Sequence, residues 1–504
     1  MAKALMIQGT GSHVGKSMLV TALCRIFRQQ GYRVAPFKAQ NMALNSFVTG
    51  EGGEIGRAQA VQAEAAGIKA SVHMNPVLIK PQTDCAAQVI IQGKVVGIYS
   101  AVAYHRFKMK AFNAVKESYA RMARLYDLII IEGAGSPAEV NLKRNDIVNM
   151  RVAAMARAPV LLVADIDRGG VFASLVGTME LLSLREKQMI RGFLINKFRG
   201  DASLLTPGLT FLRRKTGVRV VGVIPFFRDM VIPDEDSVSL EDRKRSGAPG
   251  AVSIAVIRLP HISNFTDFEP LEGEADVAVR YVQRLEELRA CTAIIIPGSK
   301  NTIADLSWLM KSGCGAEILR HHERGGIIVG ICGGFQMLGN LISDMHGVEG
   351  GRRTVKGLGL LSMETRFLRR KDTYQVEAEE MAPGGGGRPA ERLKGYEIHA
   401  GKTVLRGATS RFLIRRRSGK ACLRHDGAVS RDGRTWGTYI HGIFDNDGFR
   451  RRFIDGLKSE EAGAAAGSAR LQYAAFKEEQ LNRLAELVRD RLDMRFVERL
   501  IGNE

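Results

Sequence analysis

The 504-residue chain is 45% apolar and 25% charged, carries a formal net charge of +20 at pH 7 and contains six scattered cysteines. This composition excludes fibrous and disordered classes, and the length indicates roughly two to four domains. The sequence contains no apolar run of about 18 residues, so no membrane-spanning helix is expected.

The N-terminus and the cysteines predict a cytoplasmic protein, and we expect no nucleic-acid or membrane partner, although the charge alone decides little. The N-terminus lacks a signal-peptide pattern, and the cysteines form no C-x-x-C pair, which favours a reducing cytoplasm over a zinc site or a disulfide framework. The densest basic cluster, Arg415–Arg417, lacks the interleaved aromatic residues that stack nucleic-acid bases. A solvated basic surface and a surface adapted to a polyanionic substrate both fit this charge.

Residues 1–240 alternate short apolar runs with helical patterns, and this alternation predicts a parallel sheet with crossover helices. The runs are ALMIQ, DLIIIEG, PVLLVAD, GFLINK and VVGVIP. Their apolar residues are continuous rather than alternating, as in strands that are covered on both faces. A polar segment rich in Gly and Pro, residues 241–250, is interpreted as a linker.

A second α/β domain with a parallel sheet is predicted for residues 251–450. Its strand candidates are VSIAVI, CTAIIIPG and GGIIVGI, and the four-glycine run at 384–387 predicts a surface loop. Residues 451–504 form a predicted helical extension, in which Leu481, Leu484, Val488 and Leu492 recur at helical spacing. We expect this amphipathic helix to pack on the body of the protein, and binding of a partner is the alternative.

A nucleotide site is predicted directly after the first strand. The segment GTGSHVGKS precedes a helical pattern, and the backbone N–H groups of such a glycine-rich loop converge on phosphate oxygens. Lys16 is expected to reach the β- and γ-phosphates of ATP, and the Ser17 hydroxyl to help hold Mg²⁺. The predicted nucleotide-binding residues of the loop are Gly9, Thr10, Gly11, Val14, Gly15, Lys16 and Ser17.

The loop is one residue longer than the strict eight-residue pattern, and in this form it resembles that of dethiobiotin synthetase and its relatives. The resemblance implies that Lys38 binds substrate, that Glu132 is an acidic Mg²⁺ ligand, and that Asn196 lies where adenine is recognised. It also places Glu54 roughly where the family has another acidic metal ligand. Taken alone, Lys38 also fits a surface lysine, and Glu132 fits a turn carboxylate.

An ATPase of the chromosome-partitioning type is the alternative for this loop. That class carries an additional lysine at the start of the loop, where this chain has Gln8, Gly9 and Thr10. Dimerisation on DNA is therefore the weaker interpretation. Asp165 and Asp167 also follow a strand, where they fit either a ligand site or a helix cap.

A reactive cysteine is predicted in the turn GICGG, which follows the apolar strand IIVGI. A sharp strand-to-helix turn exposes its central side chain, and the N-terminus of the helix lowers the pKa of a thiol. Cys332 needs a base, for which His441 in GTYIHGIFDN has the best setting and His399 in GYEIHAG is the competitor. A buried structural cysteine is the alternative for Cys332.

These features resemble the class I glutamine amidotransferase domain, which pairs an elbow cysteine with a late histidine. The resemblance implies a thioester, release of ammonia and an oxyanion hole built from the backbone amides of Gly333 and Ser299. The family usually has His-x-Glu, but position 443 is Ile443. The group that orients His441 is therefore absent, remote or not identifiable from the sequence, and a degenerate regulatory domain is the alternative.

The fusion of these two domains, in this order, resembles the cobyrinic/cobyric acid amidating enzymes. Over residues 4–450, motifs such as KAQNMALNS, EIGRAQAVQA, ADIDRGGVFAS and GICGGFQMLG are similar to the cobyric acid synthase branch. The resemblance implies amidation of carboxylates of adenosylcobyrinic acid a,c-diamide, a corrinoid polycarboxylate, with ATP, Mg²⁺ and glutamine. The alternatives are an a,c-diamide synthase, amidation of a cell-wall precursor and a nucleotide-switched DNA-binding protein.

Ammonia is mostly protonated at pH 7 and is then unreactive. A shielded path between the two sites, or close apposition of the two domains, is therefore expected.

Overall fold

The computed structural model describes residues 2–83, 86–227, 230, 252–349, 353–381, 391–458 and 470–502. The predicted linker at 241–250 and the four-glycine run at 384–387 lie outside the described residues. The boundary between the two domains therefore stays a prediction, and we refer below to an N-terminal half and a C-terminal half.

The N-terminal half is organised around a six-stranded parallel sheet. From edge to edge, its strands are Val220–Pro225, Ile190–Phe198, Val160–Asp165, Lys3–Gly9, Leu128–Glu132 and Val34–Phe37. The described helices of this half are Lys16–Gln29, Arg57–Ala65, Ala101–Leu125, Met150–Ala156, Val171–Leu181, Leu184–Met189 and Thr206–Thr216. Leu5, Met6 and Ile7 are all fully buried although successive side chains point to opposite faces, because both faces of the sheet are covered.

Two smaller strand groups join this half to the C-terminal half. One is a four-stranded sheet of Gln40–Met42, Val77–Thr83, Ala86–Ile91 and Lys94–Ser100. The other is a hairpin of Ser46–Val48 and Glu54–Gly56. The first hairpin strand packs against two long strands of the C-terminal half, so the two halves share a contact surface.

The C-terminal half contains a second largely parallel sheet, which confirms the predicted α/β class of both halves. Across this sheet the strands are Val277–Val282, Val252–Ile257, Ala293–Ile296, Ile327–Ile331, Thr435–Thr438 and Ala428–Val429, the last of which is antiparallel. A short antiparallel pair joins Ile262–Ser263 to Gly298–Ser299. The described helices of this half are Glu269–Glu272, Thr302–Lys311, Cys314–Glu323, Gly333–Met337 and Asp447–Leu457.

A seven-stranded, mostly antiparallel sheet also belongs to the C-terminal half and was not predicted. It contains Arg353–Lys356, Leu341–Asp344, Met363–Glu380, Arg392–Leu405, Ile440–His441, Phe412–Arg417 and Lys420–Asp426. The long strand Met363–Glu380 is rich in Arg, Lys and Glu, because much of its length is partly exposed. Such a strand lacks the continuous apolar run that marks a buried parallel strand.

The C-terminal helices Tyr473–Arg491 and Met494–Leu500 return to the N-terminal half. Leu484 and Val488 are fully buried in one cluster with Leu23 and Phe27 of the first helix. The apolar stripe predicted at helical spacing is thus the face that packs on the body of the protein. These helices are therefore part of the N-terminal half, although they follow the C-terminal half in the chain.

Candidate active site

Cys332 lies in a strained turn between the strand Ile327–Ile331 and the helix Gly333–Met337. Its φ and ψ angles are 51° and −103°, a backbone conformation that non-glycine residues rarely adopt. A Cβ atom on Gly334 would lie 1.9 Å from the carbonyl oxygen of Ile296, so only glycine fits there. The glycine-flanked turn therefore holds the thiol at the N-terminus of a helix, as its sequence predicted.

His441 is fixed by Asp267, the orienting group that the sequence did not reveal. Its Nδ1 lies 2.6 Å from Oδ2 of Asp267, and the backbone N–H of Gly442 donates to Oδ1 at 3.0 Å. Both side chains are buried, with 1% and 3% of their surfaces exposed. Because Nδ1 is engaged by the carboxylate, Nε2 is the nitrogen available to a reacting group.

The electrostatics favour an imidazolium beside a thiolate. Burial lowers the pKa of His441, but the charge and hydrogen bond of Asp267, together with the interaction with Cys332, raise it to about 10. Burial raises the pKa of the Cys332 thiol, but the hydrogen bond and charge of His441, with smaller effects of His399 and Lys371, bring it below its ordinary value. The pair thus favours the thiolate, which is the nucleophilic form of a cysteine.

His399, the competing base, lies in the same pocket with different partners. Its Nδ1 lies 2.7 Å from the carbonyl oxygen of Gly401, and its ring stacks on Tyr439 at 3.8 Å between centroids. Its Nε2 lies 3.7 Å from Oε1 of Glu397, and Arg417 donates to that same oxygen at 2.7 Å. His399 therefore lacks the close carboxylate contact that fixes His441.

The two predicted oxyanion-hole residues are neighbours. A Cβ atom built on Gly333 would lie 2.8 Å from the backbone nitrogen of Ser299. The hydroxyl of Ser299 donates to Asp305 at 2.6 Å, and its Oγ accepts from the backbone N–H of Asn301 at 3.0 Å. These bonds hold the loop that carries the Ser299 amide beside the turn that carries Cys332.

The pocket at Cys332 is lined by both halves of the chain. The N-terminal half contributes Lys80, Gln88 and Val95 to its walls. From the C-terminal half it is lined by Ser263, Asn264, Ser299, Lys300, Thr302, Cys332, Gln336, Val348, Glu349, Phe367, Arg369, Lys371, Ile398, His399, Ala400 and His441. The Cys332 pocket is therefore completed at the contact between the halves.

The predicted phosphate loop brings its lysine and serine to the end of the central sheet. Lys16 donates to the carbonyl oxygens of Gly11 at 2.7 Å and Gly135 at 3.2 Å. Ser17 donates to Oε1 of Glu132 at 2.8 Å. The strands Lys3–Gly9 and Leu128–Glu132 are adjacent and parallel, so their carboxyl ends place the loop and the carboxylate together.

Glu132 is the centre of a buried polar cluster in this site. Lys38 donates to its Oε1 at 2.8 Å, and Gln62 donates to its Oε2 at 2.6 Å. Only 1% of the surface of Glu132 is exposed. Lys38 is thus beside the nucleotide loop, whereas Gln62, which lies in the family motif EIGRAQAVQA, was not predicted as a site residue.

Asn196 supports the loop from the neighbouring strand. Its Nδ2 donates to the carbonyl oxygen of Val14 at 2.8 Å, and a Cβ atom on Gly15 would lie 2.0 Å from that nitrogen. Oδ1 of Asn196 is buried and has no hydrogen-bond partner among the described residues. The residue is therefore placed to offer an acceptor beside the loop.

Thr10 continues the sheet, since its backbone N–H donates to the carbonyl oxygen of Val163 at 2.9 Å.

Asp165 and Asp167 act neither as helix caps nor as free carboxylates. Asp165 lies 2.7 Å from the ammonium of Lys197, which also donates to the carbonyl oxygen of His13 at 2.8 Å. Asp167 lies 2.6 Å from Arg199. The first pair therefore braces the phosphate loop from outside.

The structure does not support the prediction that Glu54 is a metal ligand. Lys80 lies 2.9 Å from its Oε1, and Lys371 of the C-terminal half lies 2.6 Å from its Oε2. Both charges bring the pKa of this buried carboxyl well below its usual range against the opposing effect of burial. Glu54 instead joins the two halves beside the Cys332 pocket, where both lysines are lining residues.

Comparisons with known proteins match both halves of the chain. Residues 5–237 match the model of a CobQ/CobB/MinD/ParA nucleotide binding domain. Residues 253–449 match the model of a CobB/CobQ-like glutamine amidotransferase domain.

Curated relatives match almost the full length. A cobyric acid synthase of Syntrophobacter fumaroxidans is 48% identical over 99% of this chain and 99% of its own length. One from Caldanaerobacter subterraneus is 50% identical over 98% of this chain and 97% of its own length. The chain belongs to the cobyric acid synthase family. It is accordingly an ATP-dependent, glutamine-hydrolysing amidotransferase of cobalamin biosynthesis.

Two further findings concern metal-binding clusters and membrane-spanning helices. In the described parts of the chain, no three His, Cys, Asp or Glu residues form a cluster that could hold a metal ion by themselves. None of the described helices is long and apolar enough to cross a membrane.

Proposed function

We propose that this chain converts adenosylcobyrinic acid a,c-diamide to cobyric acid by amidating its peripheral carboxylates. The observation that carries the chemistry is the strained Cys332 turn facing a histidine held by Asp267, in a pocket completed by the nucleotide-binding half. The near-complete alignment with relatives named cobyric acid synthase supports the choice of substrate.

In the glutamine half-reaction, the thiolate of Cys332 attacks the amide carbon and the amide oxygen becomes an oxyanion. The backbone N–H groups of Gly333 and Ser299 stabilise this charge. The imidazolium of His441 gives its proton to the leaving nitrogen, so ammonia departs and a thioester remains. His441 then takes a proton from water, which attacks the thioester and releases glutamate.

In the ATP half-reaction, a carboxylate oxygen of the corrinoid attacks the γ-phosphorus, which yields ADP and an acyl phosphate. Lys16 neutralises charge on the phosphates as the phosphoryl group moves, and Lys38 orients the acceptor carboxylate. Ammonia then attacks the acyl carbon and phosphate leaves, which completes the amide. Activation is necessary because a carboxylate has no good leaving group.

The residues around Ser17 fit a magnesium ion. Mg²⁺ in nucleotide sites is typically held by one or two carboxylates or hydroxyls together with substrate phosphates. Ser17 and Glu132 supply one hydroxyl and one carboxylate whose oxygens lie 2.8 Å apart. When bound, the ion would neutralise the β- and γ-phosphates.

Nitrogen-source experiments test this division of labour. Cys332→Ala should abolish amidation with glutamine but leave amidation with ammonium salt intact, whereas Lys16→Ala should abolish both and retain glutaminase activity. Loss of both amidations in Cys332→Ala would contradict the two-site scheme. Normal amidation by Lys16→Ala would contradict the phosphate-loop assignment.

Substrate identity is tested by ADP release with purified corrinoids. The a,c-diamide should stimulate ADP release. Cobyrinic acid, whose a- and c-carboxylates are free, should not stimulate it, because we expect the chain to accept only corrinoids in which these two groups are already amides. The opposite preference would assign the chain to a,c-diamide synthesis.

A further inference from the structure

Six ionisable side chains besides the Cys332–His441 pair line the glutaminase pocket. They are Lys80, Lys300, Glu349, Arg369, Lys371 and His399. Free glutamine presents two charges in addition to its amide, an α-ammonium and an α-carboxylate. A pocket that selects the free amino acid must compensate both charges, because desolvating an unpaired charge is costly.

Two of the lysines already have a partner. Lys80 and Lys371 lie 2.9 Å and 2.6 Å from the two oxygens of Glu54, which is 99% shielded from solvent. One carboxylate therefore compensates both ammonium groups and ties them to the contact between the halves. Lys80 also donates to Ser46 at 2.9 Å. These lysines are part of the wall.

Glu349 is a buried carboxylate held on rigid backbone. Only 6% of its surface is exposed. Its Oε2 accepts from the backbone N–H of Ile303 at 3.1 Å, in the first turn of the helix Thr302–Lys311. Its own N–H donates to Oδ2 of Asp344 at 2.8 Å. The carboxylate therefore has a fixed position in the pocket wall.

Lys300 follows Ser299 directly, on the loop that carries the predicted oxyanion amide. Its backbone N–H donates to the carbonyl oxygen of His261 at 2.9 Å, so the base of this side chain is also fixed. Lys300 and Glu349 are thus presented to the pocket beside Cys332 by two separately braced segments.

Without bound glutamine, the charges of Glu349 and Lys300 are only partly balanced by neighbouring groups of the protein. Burial raises the pKa of Glu349 to about 7 in spite of the opposing backbone hydrogen bonds and the charge of Lys300. Burial, together with the nearby charges of Lys371 and Lys80, lowers the pKa of Lys300 to about 7. A zwitterion bound between the two groups would supply one counter-charge to each.

We propose that Glu349 binds the α-ammonium group of glutamine and that Lys300 binds its α-carboxylate, which restricts the pocket to the free amino acid. This assignment rests on the proposed glutaminase function of Cys332. It defines a specificity site that is separate from the groups that break the amide bond.

The test compares glutamine with two analogues that each lack one charge. Glutaramate has no α-ammonium group, and 4-aminobutanamide has no α-carboxylate. Ammonia release by the full chain gives kcat/KM for each compound. Glu349→Gln should lower kcat/KM for glutamine by about 30-fold or more, the usual cost of removing one partner of a buried charge pair. It should leave kcat/KM for glutaramate nearly unchanged.

Lys300→Gln should show the reciprocal pattern, with a loss for glutamine and little change for 4-aminobutanamide. Glu364→Gln removes a carboxylate from a surface ion pair with Arg406 and serves as the matched control. Ammonium-supported amidation at the wild-type rate reports that each variant is folded. Where it is not, Glu349→Asp and Lys300→Arg supply the comparison, and they should regain part of the discrimination.

If the ratio of kcat/KM for glutamine to kcat/KM for glutaramate is the same in a folded Glu349 variant as in the wild type, the assignment of the ammonium site is overturned. Equal losses for glutamine and both analogues would also overturn it, because they would indicate damage to the catalytic geometry. The failure of the proposed function has a different signature, namely glutaminase activity that survives Cys332→Ala in the wild-type background.

Discussion

Replacing Asp267 by Asn tests the electrostatic account of the glutaminase site. The substitution keeps the size of the side chain but removes the charge that lies 2.6 Å from Nδ1 of His441. Breaking a buried ion pair costs about 3–5 kcal/mol. At about 1.4 kcal/mol for each pKa unit, this lowers the pKa of His441 by roughly two to four units.

The consequence is visible in the pH profile of glutamine hydrolysis. His441 must be protonated to give its proton to the leaving ammonia, so activity falls as pH rises through its pKa. In the wild type we expect that limb near pH 10. In Asp267→Asn it should move to between about 6 and 8. Loss of the protonated imidazole alone lowers kcat/KM at pH 7 by at most about tenfold, and loss of the group that orients the imidazole should bring the total decrease to about 10²–10⁴-fold.

The assay measures ammonia release between pH 5 and 11, with ammonium-supported amidation as the control for folding. Asp455→Asn removes a largely exposed carboxylate of the same half and should leave the profile unchanged. An alkaline limb of Asp267→Asn that coincides with the wild-type limb would refute the reasoning. If Asp267→Asn has the wild-type pH profile and His399→Ala is inactive, the base is His399.

Four further substitutions probe other parts of the structure. Gly334→Ala places a Cβ atom 1.9 Å from a carbonyl oxygen, so glutaminase activity should be lost while ammonium-supported amidation persists; equal loss of both would contradict a local effect. Asn196→Ala should raise the KM for ATP about tenfold through the loss of a buried hydrogen bond, and an unchanged KM would separate Asn196 from nucleotide binding. Lys371→Met leaves Glu54 with one lysine and should lower the free energy of unfolding by about 3–5 kcal/mol in urea titrations. A negligible decrease would contradict the contact between the two halves. Leu484→Ala should cost about 2–5 kcal/mol in the same assay, and a negligible cost would place the C-terminal helix away from the core.

The two parallel sheets were predictable because buried strands and tight turns have local signals. Continuous apolar runs identified strands such as Leu128–Glu132, and the glycines around Cys332 identified its turn. The sequence also predicted the loop around Lys16, since phosphate binding requires a fixed spacing of residues. These features depend on neighbours in the chain.

The carboxylate that orients His441 could not be predicted, because it does not come from a neighbour in the chain. Asp267 lies 174 residues before His441 in the chain, and nothing in the local pattern NFTDFEP indicates a histidine partner. A resemblance that expects a glutamate at position 443 directs attention to the wrong end of the domain. The carboxylate is supplied by a segment that is distant in the sequence.

Long-range ion pairs likewise determined the role of Glu54. The resemblance to dethiobiotin synthetase placed it roughly where that family has an acidic metal ligand, but its partners Lys80 and Lys371 come from two other strands. The same limitation applies to the C-terminal helix. Its apolar face was evident from Leu484 and Val488, whereas the N-terminal core that receives this face became known only from the structure.

The origin of the product nitrogen tests the central claim most directly. The enzyme is supplied with glutamine labelled with ¹⁵N in the side-chain amide, in a buffer containing unlabelled ammonium, and the new amides of the corrinoid are analysed by mass spectrometry. The account predicts that wild-type product carries ¹⁵N, whereas Cys332→Ala forms only unlabelled product at a rate that depends on the ammonium concentration. Label in the product of Cys332→Ala would contradict the account.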